Sequence, residues 1–595
     1  MVRHPKNLKR GVVRHLVFAY IEAKTGIAMD LDLCRERILS EESRDFIVSR
    51  LQEELFAEKF TNADCKIEIG EFYQSIYVDG EQADPLRFDA YPYNSIPKCY
   101  TLLDVEALTD AGIYQVQNYP TLELQGTGIM VGFVDTGIDY QNPLFRNLDG
   151  SSRIVGIWDQ TIQDGNPPEG FLYGTEYRKD DIDIALQSEN PLELVLSRDE
   201  NSHGTFLASI ATGGAVPEEQ FIGAAPDAQI AVVKLKQAKQ YLKEFYLIDA
   251  NTPCYQENDI MLGITYLHNL AREKNLPLVL CVALGTNQGS HTAGSPLTGI
   301  LDIFANTDHR AVVIGAGNEA DQRHHFWGRI EREDQEQEVE IQVSEGNKGF
   351  CMELWASSLN LFEVSITSPS GESSYQFPIR GGRTQEYTFV FERTQISIDY
   401  KVFVERLNAT LIFMRISNPT EGIWKVTVRP VRIANGEYHI WLPVKEFLSS
   451  EVFFLESNPN YTMTEPGSAL SGITVGFYDG RDNSIAIQSG RGYTRDERIK
   501  PDFVAPGVNV KGAISRNQFA VRTGSSIATG ITAGAAALLM EWGVYVIGEI
   551  DLDSSQIRNL LILGTEKTEG TTYPNQTSGY GRLNLYQTFE FIRQI

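Results

Sequence analysis

Apolar and polar positions along this chain fall into two alternating textures. An apolar run at residues 128–134 closes on Asp135-Thr-Gly-Ile-Asp139, and similar strand-like runs follow at 229–234, 278–284 and 311–314. Between them, residues 203–212 and 259–273 carry helix-like spacing. Strands that alternate with helices predict a parallel sheet covered on both faces, an α/β class. After about residue 328 the texture turns β-rich, with short segments at 338–343, 361–367, 385–392, 396–405, 410–416, 424–431 and 438–443. Gly, Pro and Asn separate them, which predicts an inserted antiparallel β-sandwich, jelly-roll-like in form. The α/β texture returns at 472–477 and 507–514 and in a small-residue helix starting near Ser526.

Ahead of all this, residues 30–95 mix a charged helical stretch at 40–57 with strand-like segments at 65–69 and 72–78. A small α+β unit is expected there. It ends at Asp89-Ala-Tyr-Pro-Tyr-Asn-Ser-Ile-Pro-Lys98, where two prolines favour an extended, accessible connection. The predicted divisions are therefore 1–95, 96–328, the insertion 329–455, and 456–595.

A chain of 595 residues is long enough for two to four such units, and 42% apolar with 22% charged residues is a globular composition. The net charge of -27 and a pI near 4.8 lack the basic face that nucleic acid requires, and read as a solvated acidic surface. Cys34, Cys65, Cys99, Cys254, Cys281 and Cys351 form no C-x-x-C pair and no zinc spacing, so buried thiols are expected. Residues 1–20 are basic, but Arg14 and His15 interrupt the apolar run that a secretory signal needs. Residues 531–550 carry Glu541 within a Gly- and Ala-rich run, which predicts a buried helix rather than a membrane span. A cytoplasmic location with no membrane partner is the expectation.

Three segments carry chemistry, in the order Asp, His, Ser. Asp135 stands at the carboxyl end of a predicted strand, the edge at which open parallel sheets place their sites. His203, in Asn201-Ser-His203-Gly-Thr-Phe, opens a predicted helix, and imidazole suits general-base work near neutral pH. Ser526, in Thr523-Gly-Ser-Ser526-Ile-Ala, begins another helix, where free backbone N–H groups and the dipole favour developing negative charge. Each segment alone is an ordinary turn or cap. Together, in order, they point to nucleophilic catalysis.

These segments resemble the signature segments of the subtilisin-like serine proteases. A fourth match is Val312-Val-Ile-Gly-Ala-Gly-Asn318-Glu, and others are Gly223-Ala-Ala-Pro-Asp-Ala228, Leu280-Cys-Val-Ala-Leu-Gly285 and Lys500-Pro-Asp-Phe-Val-Ala-Pro-Gly507. The resemblance implies Asp135, His203 and Ser526 as triad, Asn318 as oxyanion donor, and Ala283, Leu284, Gly285 and Gly317 as substrate-binding residues. It implies a protein or peptide substrate and no cofactor. Structural calcium is common among such proteins, but no EF-hand-like loop marks a place for it here. Ser525 stands where Thr is usual, Ala283 where Ser is usual, and Gly530-Ile531 where Pro-His is usual, which leaves substrate preference open.

Within the family, the N-terminal unit, the Tyr93-Asn-Ser-Ile-Pro-Lys98 connection and the β insertion look most like the germination-associated proteases of spore-forming bacteria. That subgroup implies a spore-associated setting and a propeptide, residues 1 to about 95, which blocks the cleft until a cut leaves a mature start near 90–105. A permanent N-terminal domain is the alternative. Some such relatives have lost triad residues and act in signalling, so a signalling or binding protein is the alternative function; here all three residues are present. A dinucleotide site at Gly126-Thr-Gly128 is disfavoured, because the glycines precede the strand and the third falls at Gly132. Trp355, Trp424 and Trp441 are expected in the sandwich core.

Overall fold

A computed structural model describes residues 31–50, 65–102, 111–118, 122–404, 407–548 and 552–594. Its centre is an eight-stranded sheet in the order Phe503–Pro506, Ile473–Tyr478, Arg310–Gly315, Leu278–Val282, Met130–Asp135, Gln229–Lys234, Ile154–Asp159, Thr175–Arg178. Neighbours are parallel except for the last pair, which is antiparallel. Side chains alternate between two buried faces. Val131, Phe133, Val279 and Val313 join a core with His203–Thr212 and Ser525–Glu541, whereas Met130, Val134, Leu280 and Val312 join another with Glu257–Lys274 and Pro296–Ala305. Burial on both faces explains why these strands read as continuous apolar runs.

Every residue of Ser525–Glu541 is buried. Its small residues are a packing requirement, since a Cβ on Gly534 would lie 2.2 Å from the Cβ of Ala224. The run Ser525–Ile547 is long and apolar enough to cross a membrane, yet 72% of its apolar window is buried inside the protein. Glu541 is satisfied there, accepting from the Gln125 and Gly126 N–H groups at 2.9 and 2.6 Å.

The inserted strands form two sheets. One has six strands, from His325–Arg329 through Glu437–Trp441, Gly349–Ser357, Ala409–Ser417 and Gln395–Val404 to Gln385–Thr388. The other has four, Leu361–Thr367, Gly422–Arg432, Gln337–Val343 and Val452–Phe454. Ile341, Leu354, Val364 and Trp424 pack between them. Trp355 and Trp441 do not; they lie on the outer face of the six-stranded sheet, in a separate core with Phe88, Tyr93, Phe245 and Phe413. That sheet is thus buried on both sides, by its partner sheet and by the rest of the molecule.

The N-terminal unit is an antiparallel sheet, Ser43–Ser49, Tyr73–Asp79 and Cys65–Ile69, with the helix Leu31–Leu39. The helix expected at 40–57 is displaced, because Phe46, Ile47 and Val48 are strand formers that pair with Ile76, Ser75 and Gln74 in that order. Residues 51–57 of that stretch lie outside the described residues. The expectation of thiols throughout is also corrected: Cys34 and Cys65 form a disulfide, their Cα atoms 4.9 Å apart. Helix Leu31–Leu39 packed against strand Cys65–Ile69 creates a proximity that sequence spacing does not display. Cys99, Cys254, Cys281 and Cys351 are free and buried.

Candidate active site

Three elements converge at the carboxyl edge of the central sheet. Asp135 ends Met130–Asp135, His203 begins His203–Thr212, and Ser526 is the second residue of Ser525–Glu541. His203 Nδ1 lies 2.8 and 2.9 Å from the two carboxylate oxygens of Asp135, and Nε2 lies 3.0 Å from Ser526 Oγ. All three residues are buried, Ser526 included.

The approach to this geometry is fixed locally. Asp135 accepts from Thr136 N–H at 2.7 Å, and the Thr136 hydroxyl accepts from Gly204 N–H at 3.0 Å while donating to Asp199 at 2.8 Å. Asp199 also accepts from Ser202 N–H, Thr205 N–H and the Thr205 hydroxyl, at 2.7–2.8 Å. A buried carboxylate with four donors thereby ties down the first turn of the helix that carries His203. Ser202 takes a left-handed backbone, φ 68°, to make that entry. Sequence reasoning missed Asp199. The signal was an acid just ahead of an apolar helix, where it satisfies orphan N–H groups.

Asn318 follows the strand Arg310–Gly315. Its side-chain oxygen accepts from Ser525 N–H at 3.0 Å, which holds the amide beside the helix start that carries Ser526. Gly317 beside it has φ +91°, and a Cβ there would lie 2.6 Å from the Thr464 side chain, so no larger residue fits. The edge opposite is Ala283, Leu284 and Gly285, all buried.

That edge is occupied by the protein itself. Leu284–Gly285 pairs antiparallel with Cys99–Leu102, in the register Leu284 to Leu102 and Gly285 to Thr101. The other side of Cys99–Leu102 pairs with Tyr255–Gln256. The connection after the N-terminal unit is therefore the middle strand of a three-stranded sheet beside the triad. This was unforeseen, since the prolines at 92 and 97 suggested an exposed linker.

The N-terminal unit docks through a buried ion pair, Lys239 Nζ to Asp45 Oδ1 at 2.6 Å, and Gln256 Nε2 donates to Asp45 Oδ2 at 2.7 Å. Burial pushes the Lys239 ammonium down against the pull of Asp45. Asp45→Ala strands a buried lysine, a change worth about 3–5 kcal/mol. Amide exchange in Cys65–Ile69 and Tyr73–Asp79, measured in a Ser526→Ala background, is expected to speed up at least about a hundredfold. Unchanged exchange would show that the pair does not hold the unit in place.

Among the described residues, no group of three or more His, Cys, Asp or Glu is arranged to hold a metal ion.

The Subtilase family (peptidase S8) profile matches residues 126–348 and 432–581, and the gap falls within the β-sandwich. Subtilisin-like protease SBT3.10 of Arabidopsis thaliana is 22% identical over 523 residues, covering 78% of this chain and 61% of that protein. The C5a peptidase of Streptococcus pyogenes is 20% identical over 448 residues, covering 70% of this chain and 35% of that protein. The chain thus spans less than two thirds of the length of these curated relatives. The solved structure of the Clostridium perfringens CspB protease matches with a TM-score of 0.72 and 30% identity, covering 81% of this chain and 96% of that one. With its parallel sheet, its signature segments and a profile match over more than half of its length, the chain belongs to the subtilase family.

Proposed function

We propose that the protein is a serine endopeptidase that hydrolyses peptide bonds through an acyl-enzyme. His203 Nε2 takes the proton of Ser526 as Oγ attacks the carbonyl carbon, and Asp135 holds the ring with Nδ1–H toward itself. Asn318 Nδ2 and backbone N–H groups at the start of Ser525–Glu541 stabilise the oxyanion. The protonated His203 then gives its proton to the departing amine, and water releases the acyl group. The observation that carries this reading is the unbroken chain of contacts, 2.8 and 3.0 Å, from carboxylate to imidazole to hydroxyl. Labelling by a serine-directed fluorophosphonate tests it; a properly folded, cut chain that takes no label would overturn it.

The same reading extends to self-processing. Residues 99–102 lie along the substrate edge as an extended strand, which supports a role for the N-terminal segment as intramolecular substrate and then inhibitor. The cut is expected C-terminal to Leu102, within residues 103–110, and N-terminal sequencing of purified protein locates it. A start before residue 103 would refute this register. The germination-associated subgroup, with a spore-associated setting, is supported by the N-terminal unit and the inserted sandwich.

Asn318→Ala tests the oxyanion role separately. It is expected to lower turnover by about 10²–10³ with little change in KM, because the donor engages charge that develops only in the transition state. A KM effect without a turnover effect would assign Asn318 to ground-state binding instead.

A further inference from the structure

Asn318 lies on a short stretch between the strand Arg310–Gly315 and the sandwich, and the backbone ahead of it is clamped. Ala316 O accepts from Thr464 N–H at 3.1 Å, and Gly317 O accepts from Gly490 N–H at 2.9 Å. Beyond Asn318 the backbone contact is longer, Ala320 N–H to Gln488 O at 3.2 Å, and the firmer hold is a side chain. Glu319 is 4% exposed. Its Oε2 accepts from His324 Nδ1–H at 2.6 Å and from Asn287 Nδ2 at 3.0 Å, while Lys445 N–H lies 3.4 Å from Oε1.

These donors come from three parts of the chain. Asn287 follows the substrate edge Leu284–Gly285 and also donates to Leu442 O at 3.1 Å. His324 leads into the first sandwich strand, His325–Arg329, and its carbonyl accepts from Leu442 N–H at 2.9 Å. Lys445 opens the helical turn Lys445–Phe447, which comes after the strand Glu437–Trp441 that pairs with His325–Arg329. One buried carboxylate thus joins the residue beside Asn318 to the substrate edge and to two paired strands of the sandwich. A single planar peptide separates Glu319 from Asn318, so a shift of one carries the other. An oxyanion donor works only when held to about 0.5 Å, and a misplacement of 1 Å costs about 10²-fold in rate.

We propose that Glu319 is a positioning residue for the oxyanion donor, anchoring the segment that carries Asn318 to the sandwich, so that the insertion contributes to turnover as well as to the fold. The proposal rests on the endopeptidase reading and goes beyond it. Glu319 acts through Asn318, its own carboxylate being taken up by His324, Asn287 and Lys445.

The test compares self-cleavage of the full chain, made by cell-free translation, in the wild-type and Asn318→Ala backgrounds. Glu319→Leu keeps the volume and removes the acceptor. It is expected to slow the wild-type chain about thirtyfold, yet to change the slower Asn318→Ala chain by less than about threefold, because no donor is left to place. Glu319→Gln, which can keep an oxygen at the Oε2 position, is expected to stay within about threefold of wild type. His324→Ala breaks the same link from the sandwich side and is expected to show the same dependence on Asn318, so the test decides even where Glu319→Leu misfolds. Thermal melting of the Ser526→Ala counterparts checks each fold. Equal slowing in both backgrounds would show that Glu319 serves the fold alone and would overturn the proposal, as would a Glu319→Leu chain cut at the wild-type rate. If the wild-type chain is neither cut nor labelled by fluorophosphonate, the endopeptidase reading fails, and the positioning role with it.

Discussion

Ser526→Ala is expected to yield an uncut chain of 595 residues that takes no fluorophosphonate, with turnover on any peptide reduced by about 10⁶, the size such a deletion has in the relative subtilisin. The hydroxyl is the atom that becomes bonded to the acyl group, and its contact with His203 at 3.0 Å is the link through which its proton leaves. An alanine methyl nearly keeps the volume of a residue buried to 0% exposure and removes the hydrogen bond to His203, a loss of about 1 kcal/mol. The fold therefore survives, and activity does not. Gel mobility with and without the substitution reads the cut, and a melting curve checks the fold. A Ser526→Ala chain that shortens at the wild-type rate in pure form would place the nucleophile elsewhere.

Much of this site was legible in the sequence because its parts are local. Asp135, His203 and Ser526 each sit in a short segment whose neighbours fix a strand end or a helix start, so their order drew attention to them, whereas Asn318 and the role of each came from the family resemblance. The parallel strands were legible for the same reason, as uninterrupted apolar runs. Gly349–Ser357 escaped notice because eight of its nine residues are buried, leaving no alternation, and because its burial depends on a distant partner on each face. His325–Arg329 and Val452–Phe454 are short strands that only pairing defines. The helix expected at 40–57 failed where charge was read as solvent exposure; Asp45 is buried, and its partner Lys239 lies 194 residues away.

Long-range pairing also hid the occupant of the cleft. Nothing in Cys99-Tyr-Thr-Leu102 marks it as a substrate-like strand, since an extended tetrapeptide acquires that role only from edges supplied by residues 255–256 and 284–285. Trp355 and Trp441 were misplaced on similar grounds. A tryptophan in a strand declares that it is buried, not which neighbour buries it. The six-stranded sheet thus does two things at once, closing its own sandwich and walling the chamber that receives Tyr93, whose hydroxyl donates to Glu353 at 2.9 Å.

Asp135→Asn is expected to lower turnover by about 10⁴ while the chain folds normally, because the substitution reverses which imidazole nitrogen carries the proton. Thr136 N–H donates to Oδ1 at 2.7 Å, so an asparagine at 135 keeps its oxygen there and turns its NH₂ group toward the position of Oδ2. His203 Nδ1, 2.9 Å from that position, then faces a donor there and is expected to accept from it, leaving the retained oxygen to Thr136 N–H. The proton moves to Nε2, which faces Ser526 Oγ and no longer offers it a lone pair. The side chain is isosteric and its hydrogen bonds are retained, so melting should shift little, in contrast to a truncation at 135. Nitrogen NMR of the imidazole distinguishes the two tautomers directly, and self-cleavage gives the rate. A variant that cuts itself within tenfold of the wild-type rate would mean that Asp135 does not set the tautomer, and that the 2.8 Å contact to His203 serves only the fold.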